Sequence, residues 1–191
     1  MKIFITVFLF IFAFQSLTNA DDIKDFEIEE MSVGDSLLDY VSKDKIQSEK
    51  FFYDQAKSNK KFAHFEFLDV TNYDKVNVGF KDIDTRFIIK KISGFIWFDN
   101  DIKNCLKKKD EIVESIQALF TNIKVENFDK YEHFADKNSY TYDSVFRFPG
   151  EYPQDNVRIS CYDWSDSLPY NDHLNVSIVL SEYDSWLQEL K

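Results

Sequence analysis

Glycine and proline are scarce in this chain, at 4 and 3 of 191 residues. That excludes a collagen-like repeat and a Gly/Ser linker, and 44% apolar residues exclude a disordered chain, because so much apolar surface can bury a core. Four glycines also leave no GxxxxGK[ST] loop and no GxGxxG turn, so the phosphate-cradling backbones of nucleotide enzymes are missing. No GxSxG elbow is present to raise a serine nucleophile. Histidine occurs three times, at His64, His133 and His173, with no HxH, HxxxH or HExxH spacing. A metal centre would have to be assembled from distant segments, so the expectation is no metal and no cofactor.

Positive charge is also in short supply. Lys and Arg number 23 against 34 Asp and Glu, for a net −11, and the arginines are Arg86, Arg147 and Arg158 alone. Binding to nucleic acid needs clustered cations on phosphates, and this surface repels a polyanion. The acidity itself reads mainly as a solvated surface that favours cationic partners.

Long apolar runs are absent beyond the N-terminus. Lys2, the apolar run at 3–14 and the small residues Thr18 and Ala20 have the pattern of a secretory signal peptide over residues 1–20. The run falls short of the roughly 20 residues of a membrane-spanning helix. No cysteine follows it to carry lipid, so the expected product is soluble, unanchored after cleavage, and periplasmic or secreted. Residues 21–191 then form one domain. Two cysteines in an exported chain predict a disulfide, Cys105–Cys161. Cys105 lies beside Ile102 and Leu106 on a helix face, and Cys161 shares parity with Val157 and Ile159. No CxxC is present, which excludes a thioredoxin-type redox site.

Periodicity predicts the elements. Residues 21–31 alternate as a short strand, and a broken helix, or two short ones, follows over about 35–56. Strands are expected near 62–70, 76–80 and 86–98, the last interrupted by Gly94 as a bulge or a close backbone approach. Ile102, Cys105, Leu106, Ile112, Val113, Ile116, Leu119 and Phe120 recur at spacings of three and four, the clearest amphipathic helix in the chain. Strands follow near 123–128, 140–148, 157–161 and 174–180, with polar loop at 129–139 and a short helix at 182–191. The fold class predicted is α+β, an antiparallel sheet with helices on one face. It has two helix-plus-strands blocks, about 30–98 and 99–181, as a possible pseudo-repeat.

The chemistry that remains is thin. Carboxylate pairs occur at Asp82/Asp84, Asp99/Asp101 and Asp163/Asp166, yet with 34 acids such pairs arise by chance. Asp99-Asn100-Asp101 has no glycine at the sixth position and no glutamate at the twelfth, so it is not a calcium loop of that kind. The dense feature is aromatic: residues 140–170 hold Tyr140, Tyr142, Phe146, Phe148, Tyr152, Tyr162, Trp164 and Tyr170. Phe146 and Phe148 read as core. Trp164 and Tyr170, near a loop, are the candidate contact residues for a sugar face or a partner protein.

The stretch from Phe26 to Tyr40, followed by Ile92-Ser-Gly-Phe-Ile-Trp-Phe98 and Cys105, resembles a family of short exported proteins of AT-rich bacteria without an assigned activity. The resemblance implies a periplasmic, Gram-negative setting. A strand, a Gly-containing turn and a helix also resemble, more weakly, the opening of small outer-membrane assembly lipoproteins and of β-lactamase-inhibitor-like repeats. The sequence therefore leans away from an enzyme and assigns no catalytic residue. It points to a non-enzymatic binding or accessory module that meets an envelope protein or glycan. The alternatives are an envelope glycan hydrolase, which requires a cleft with two facing carboxylates, and a glycan or small-ligand binder using Trp164 and Tyr170.

Overall fold

The computed structural model describes residues 22–53, 60–120 and 123–190; the expected signal peptide at 1–20 lies outside the described residues. The elements are α1 (Lys43–Glu49), β1 (Phe62–Phe67), β2 (Lys75–Lys81), β3 (Ile89–Trp97), α2 (Ile102–Leu119), β4 (Val125–His133), β5 (Asp136–Arg147), β6 (Asn156–Asp163), β7 (His173–Val179) and α3 (Ser181–Glu189). All seven strands form one antiparallel sheet in the order β1-β2-β3-β7-β6-β5-β4. Two meanders, β1 to β3 and β4 to β7, thus meet through their last strands, with Ile92 opposite Ile178. The α+β antiparallel architecture read from the sequence is observed, but the helices, expected on one face, are divided: α2 lies on one face and α3 at a corner of the other, because Phe62 and Val179 have the parity opposite to Phe65 and Ile178.

Alternation sorts the side chains onto two faces. One row crosses the whole sheet as Phe65, Val78, Ile92, Ile178, Val157, Phe146 and Val125. Helix α2 lies over this face, contributing Cys105, Val113 and Ile116 to the same core. Each large apolar side chain buried there contributes about 1.5–3 kcal/mol. Asp101 caps α2, its Oδ1 accepting from the Asn104 N–H at 3.2 Å. The helix ends where Phe120 stacks on Phe26 at 4.3 Å and meets Phe148 edge-on. Cys105 on α2 and Cys161 on β6 are bonded, with Cα atoms 6.0 Å apart, which fastens helix to sheet. Phe146 and Phe148 are buried, as their parity predicts.

Two glycines admit rings. A Cβ on Gly94 would stand 2.4 Å from Tyr73, and one on Gly79 2.8 Å from Tyr183. The interruption expected at Gly94 is therefore a close approach, and the register shift of that strand pair falls at Gly79/Phe80 instead.

Three local expectations give way. The polar stretch 129–139 is not loop: β4 continues to His133 and β5 starts at Asp136. This hairpin sits at the sheet edge with mostly exposed side chains, so it carries no apolar alternation to read. Over 35–56 the form with two short helices is the one observed, a 3-10 turn at Leu37–Asp39 and α1, but it ends earlier than expected; residues 54–56 lie outside the described residues. The chain leaves helix geometry at Lys50 because Phe51 exchanges backbone hydrogen bonds with His64 on the edge of β1, at 3.0 and 2.9 Å. At the start, a 3-10 turn at Ile23–Asp25 and an isolated bridge between Ile28 and Met31 replace the short strand.

Candidate functional site

The second face of the sheet is built differently. Its central row reads Val145, Arg158, Ser177, Ser93, Asn77 and Glu66. Ser93 and Ser177 hydrogen-bond at 2.7 Å. Among the described elements, α3 packs on this face at one corner, where Tyr183 and Trp186 meet Phe62 and Val179. His64 lies beneath that corner, its Nε2 2.6 Å from the Tyr183 hydroxyl. Burial first, and then the charge of Lys91, holds its imidazole down to about 3. Lys91 is itself lowered to about 8, by burial and then by the charge of Lys75.

The opposite end of the face is aromatic. Trp164 and Tyr170, at either side of one loop in the sequence, come together with ring centroids 4.9 Å apart. Tyr170 is 54% exposed and Trp164 half-buried, so neither is a core residue. The structure adds rings that the sequence did not single out. Trp164 stands 4.5 Å from His133, Tyr162 4.7 Å from His173, and His173 5.1 Å from the exposed Trp97. Phe134 extends the chain beyond His133 at 4.6 Å and is fully presented to solvent. A signal for Trp97 was available: it shares parity with Phe95 and opposes Ile92 and Ile96, so it faces away from the core. The two histidines were legible only as scattered residues, because the pairing of β6 with β7 and the turn at 133–136 bring them to one place.

The loop at 164–172 is fixed to this end. The Trp164 N–H donates to Asp172 Oδ1 at 2.9 Å, the Trp164 indole N–H to His173 Nδ1 at 3.3 Å, and the Ser165 N–H to Ser139 Oγ at 3.0 Å. Burial pushes the Asp172 carboxyl upward, and the charges of Asp163, Asp166 and Asp101 add to that against the Trp164 N–H. The ring cluster thus lies in a field of carboxylates. One lysine lies over this surface: Lys75 Nζ, paired with Glu66 at 3.1 Å, sits 4.8 Å from the Phe95 ring centre and 5.7 Å from that of Trp97.

Four of the six carboxylates in the pairs noted in the sequence serve local structure. Asp82 pairs with Lys50, Asp84 holds the Arg86 N–H and guanidinium, Asp101 caps α2, and Asp163 stands 4.0 Å from Lys130. A cleft of about 500 Å³ does run between α2 and the β4–β5 hairpin, with Asp110, Glu114, Asp129 and Asp143 in its walls. It supplies the concavity that a hydrolase requires. It also holds Lys109, whose Nζ donates to Ser144 Oγ at 2.9 Å, while Ser144 donates to Asn127 at 2.7 Å. The pairing has the composition of a Ser–Lys dyad. Ser144 is 0% exposed, and this chain of hydrogen bonds ties α2 to the sheet. Among the described residues no helix is long and apolar enough to cross a membrane, and no group of three His, Cys, Asp or Glu gathers as a metal set.

Compared with family models, with curated proteins and with solved structures, the chain finds no match.

Proposed function

We propose that the chain is an exported, non-catalytic binding module, periplasmic or secreted, which acts through protein contacts at the aromatic end of the open sheet face. The observation that carries this is the connected set of rings Trp97, His173, Tyr162, Trp164 and Tyr170, reaching solvent at Trp97 and Tyr170. Tyrosine and tryptophan offer large contact areas at small entropy cost and dominate the energetic centres of protein interfaces. Carboxylates around the rings and the −11 net charge select a basic partner segment, whose ammonium and guanidinium groups would sit on the ring faces as Lys75 already does. The disulfide suits an oxidising compartment.

A synthetic Lys/Arg-rich peptide is the probe, with tryptophan fluorescence and calorimetry as readouts. The expected result is saturable binding that weakens with salt and falls about tenfold or more in the Trp164→Ala/Tyr170→Ala double variant, while an Asp-rich peptide does not bind. Equal affinity of wild type and double variant overturns the reading, as does failure of the basic peptide to bind. Self-association that the same substitutions abolish would overturn it too, by making the patch a dimer surface.

A further inference from the structure

A second place on the open face has different chemistry and stands independently of the aromatic end. A cleft of about 540 Å³, within the usual size of small-molecule sites, opens where β4, β5 and β6 adjoin. We propose that it binds a neutral, polyhydroxylated ligand, a sugar ring, which donates a hydroxyl to Asp143 and accepts from Arg158. Asp143 is the key residue. It lines the cleft, is only 4% exposed, and has one carboxylate oxygen, Oδ1, with no hydrogen-bond partner. Buried carboxylate oxygens are normally satisfied, and an unsatisfied buried acceptor on a residue of the cleft wall calls for a donor. The protein's nearby donors go to the other oxygen. The Tyr131 hydroxyl donates to Oδ2 at 2.7 Å, and Arg158 Nη1 stands 3.5 Å from it. Burial and the hydrogen bond to Asp143 push the Tyr131 phenol far above its ordinary range, so it remains a proton donor to Oδ2.

The charges of the cleft argue for a neutral occupant. Arg147 and Arg158, two of the three arginines in the chain, both line it, and each already faces a carboxylate: Arg147 Nε meets Glu126 at 2.8 Å. With the guanidiniums paired, an anion gains little. A hydroxyl, which both donates and accepts, satisfies Asp143 Oδ1 and a guanidinium N–H together. The walls supply the apolar complement. The ladder shifts register between Phe128 and Tyr131, and both rings are left exposed at the rim of the cleft. Such rings match the flat C–H face of a pyranose.

The test is calorimetric titration of the exported chain with chitobiose and maltose, and with free arginine and acetate as ionic controls. The expected result is saturable one-to-one binding of a disaccharide, insensitive to salt, and about tenfold weaker in Asp143→Asn and in Phe128→Ala. Phe128 is exposed, so its variant keeps the fold and the test survives if Asp143→Asn does not fold. Binding of neither sugar overturns the proposal, as does equal affinity of the Phe128→Ala variant. Binding that salt abolishes, or that arginine or acetate reproduces, also overturns it by showing an ionic site. The Trp164→Ala/Tyr170→Ala variant keeps its sugar affinity, so failure of the basic-peptide reading and failure of this one are told apart.

Discussion

The two faces of one sheet share every strand, yet they solve different problems. On the helix-covered face the central row is Phe65, Val78, Ile92, Ile178, Val157 and Phe146, closed by α2. One step along each strand, the open face reads Glu66, Asn77, Ser93, Ser177, Arg158 and Val145. Burial of aliphatic groups explains the first row, since removing them from water is the main stabilising term. It does not explain the second. Asn77 is buried with both side-chain polar atoms unpartnered, and Asp143 with one, arrangements that cost stability wherever they occur. Rings at one end of this face reach solvent at Trp97 and Tyr170, whereas the polar groups of its middle, Asn77, Ser93 and Ser177, are buried. The aliphatic core lies on one face, and the other has its own small buried cluster only at the α3 corner.

The largest effect that tests this division lies on the covered face. The bridge between Cys105 and Cys161 closes a loop with a separation of 56 residues. Cross-linking such a loop removes denatured-state entropy worth about 4 kcal/mol. The Cys105→Ser/Cys161→Ser variant should therefore lose stability of that order in urea unfolding, while the folded fraction keeps its affinity for a basic peptide. A loss below about 1 kcal/mol, or a parallel loss of binding, would break the separation between the faces.

Next in size is a pH effect from the corner where α3 crosses to the open face. His64 has a folded value of about 3 against an ordinary 6.5. Below pH 6.5 the unfolded chain takes up a proton at this residue that the folded chain refuses, so the contribution of His64 to stability is fully present above 6.5. It declines as pH falls towards 3. The limiting slope is roughly 1.4 kcal/mol per pH unit for one proton. Other groups titrate in the same range, so the comparison is with His64→Phe. Between pH 6 and 4.5, wild type should lose stability more steeply than the variant by up to that slope. Parallel curves would show that the corner admits water and belongs with the open face.

How much of this was legible before the structure follows the same division. The covered face announced itself: α2 through its three-and-four spacing, β7 through the alternation of Leu174, Val176 and Ile178, and the disulfide through the apolar parity of Cys105 and Cys161. These signals exist because a buried face forces apolar residues into the period of its element. The turn half of the β4–β5 hairpin, residues 129–139, reads as loop because its residues face water on most positions, and water imposes no period. At the open face, Trp164 and Tyr170 were found as aromatics beside a loop, but not the company of Trp97, Tyr162, His133 and His173. That company depends on strand register, a long-range property. Asp143 was hidden among the aromatics of β5, on the parity opposite to Tyr142 and Phe146. Its unsatisfied oxygen is a matter of geometry that no spacing records.

The smallest expected effect is the sharpest measure of the comparison. Tyr170 is more than half exposed, and its contact runs to Trp164, itself in a loop held by backbone hydrogen bonds to Asp172 and Ser139. Those bonds use the main-chain N–H groups of residues 164 and 165, which a side-chain truncation leaves in place. Tyr170→Ala should therefore change unfolding free energy by no more than about 0.5 kcal/mol, the range of surface substitutions. If the ring is instead a structural clamp on the loop, truncation exposes Trp164 and costs more than 1 kcal/mol in the same urea titration. It would also shift the tryptophan emission of the folded protein to the red. A neutral stability change combined with a weakened complex with the basic peptide is the pattern of a residue held in place by the fold for contact. A stability loss without a binding change would return Tyr170 to the core-like side of the comparison.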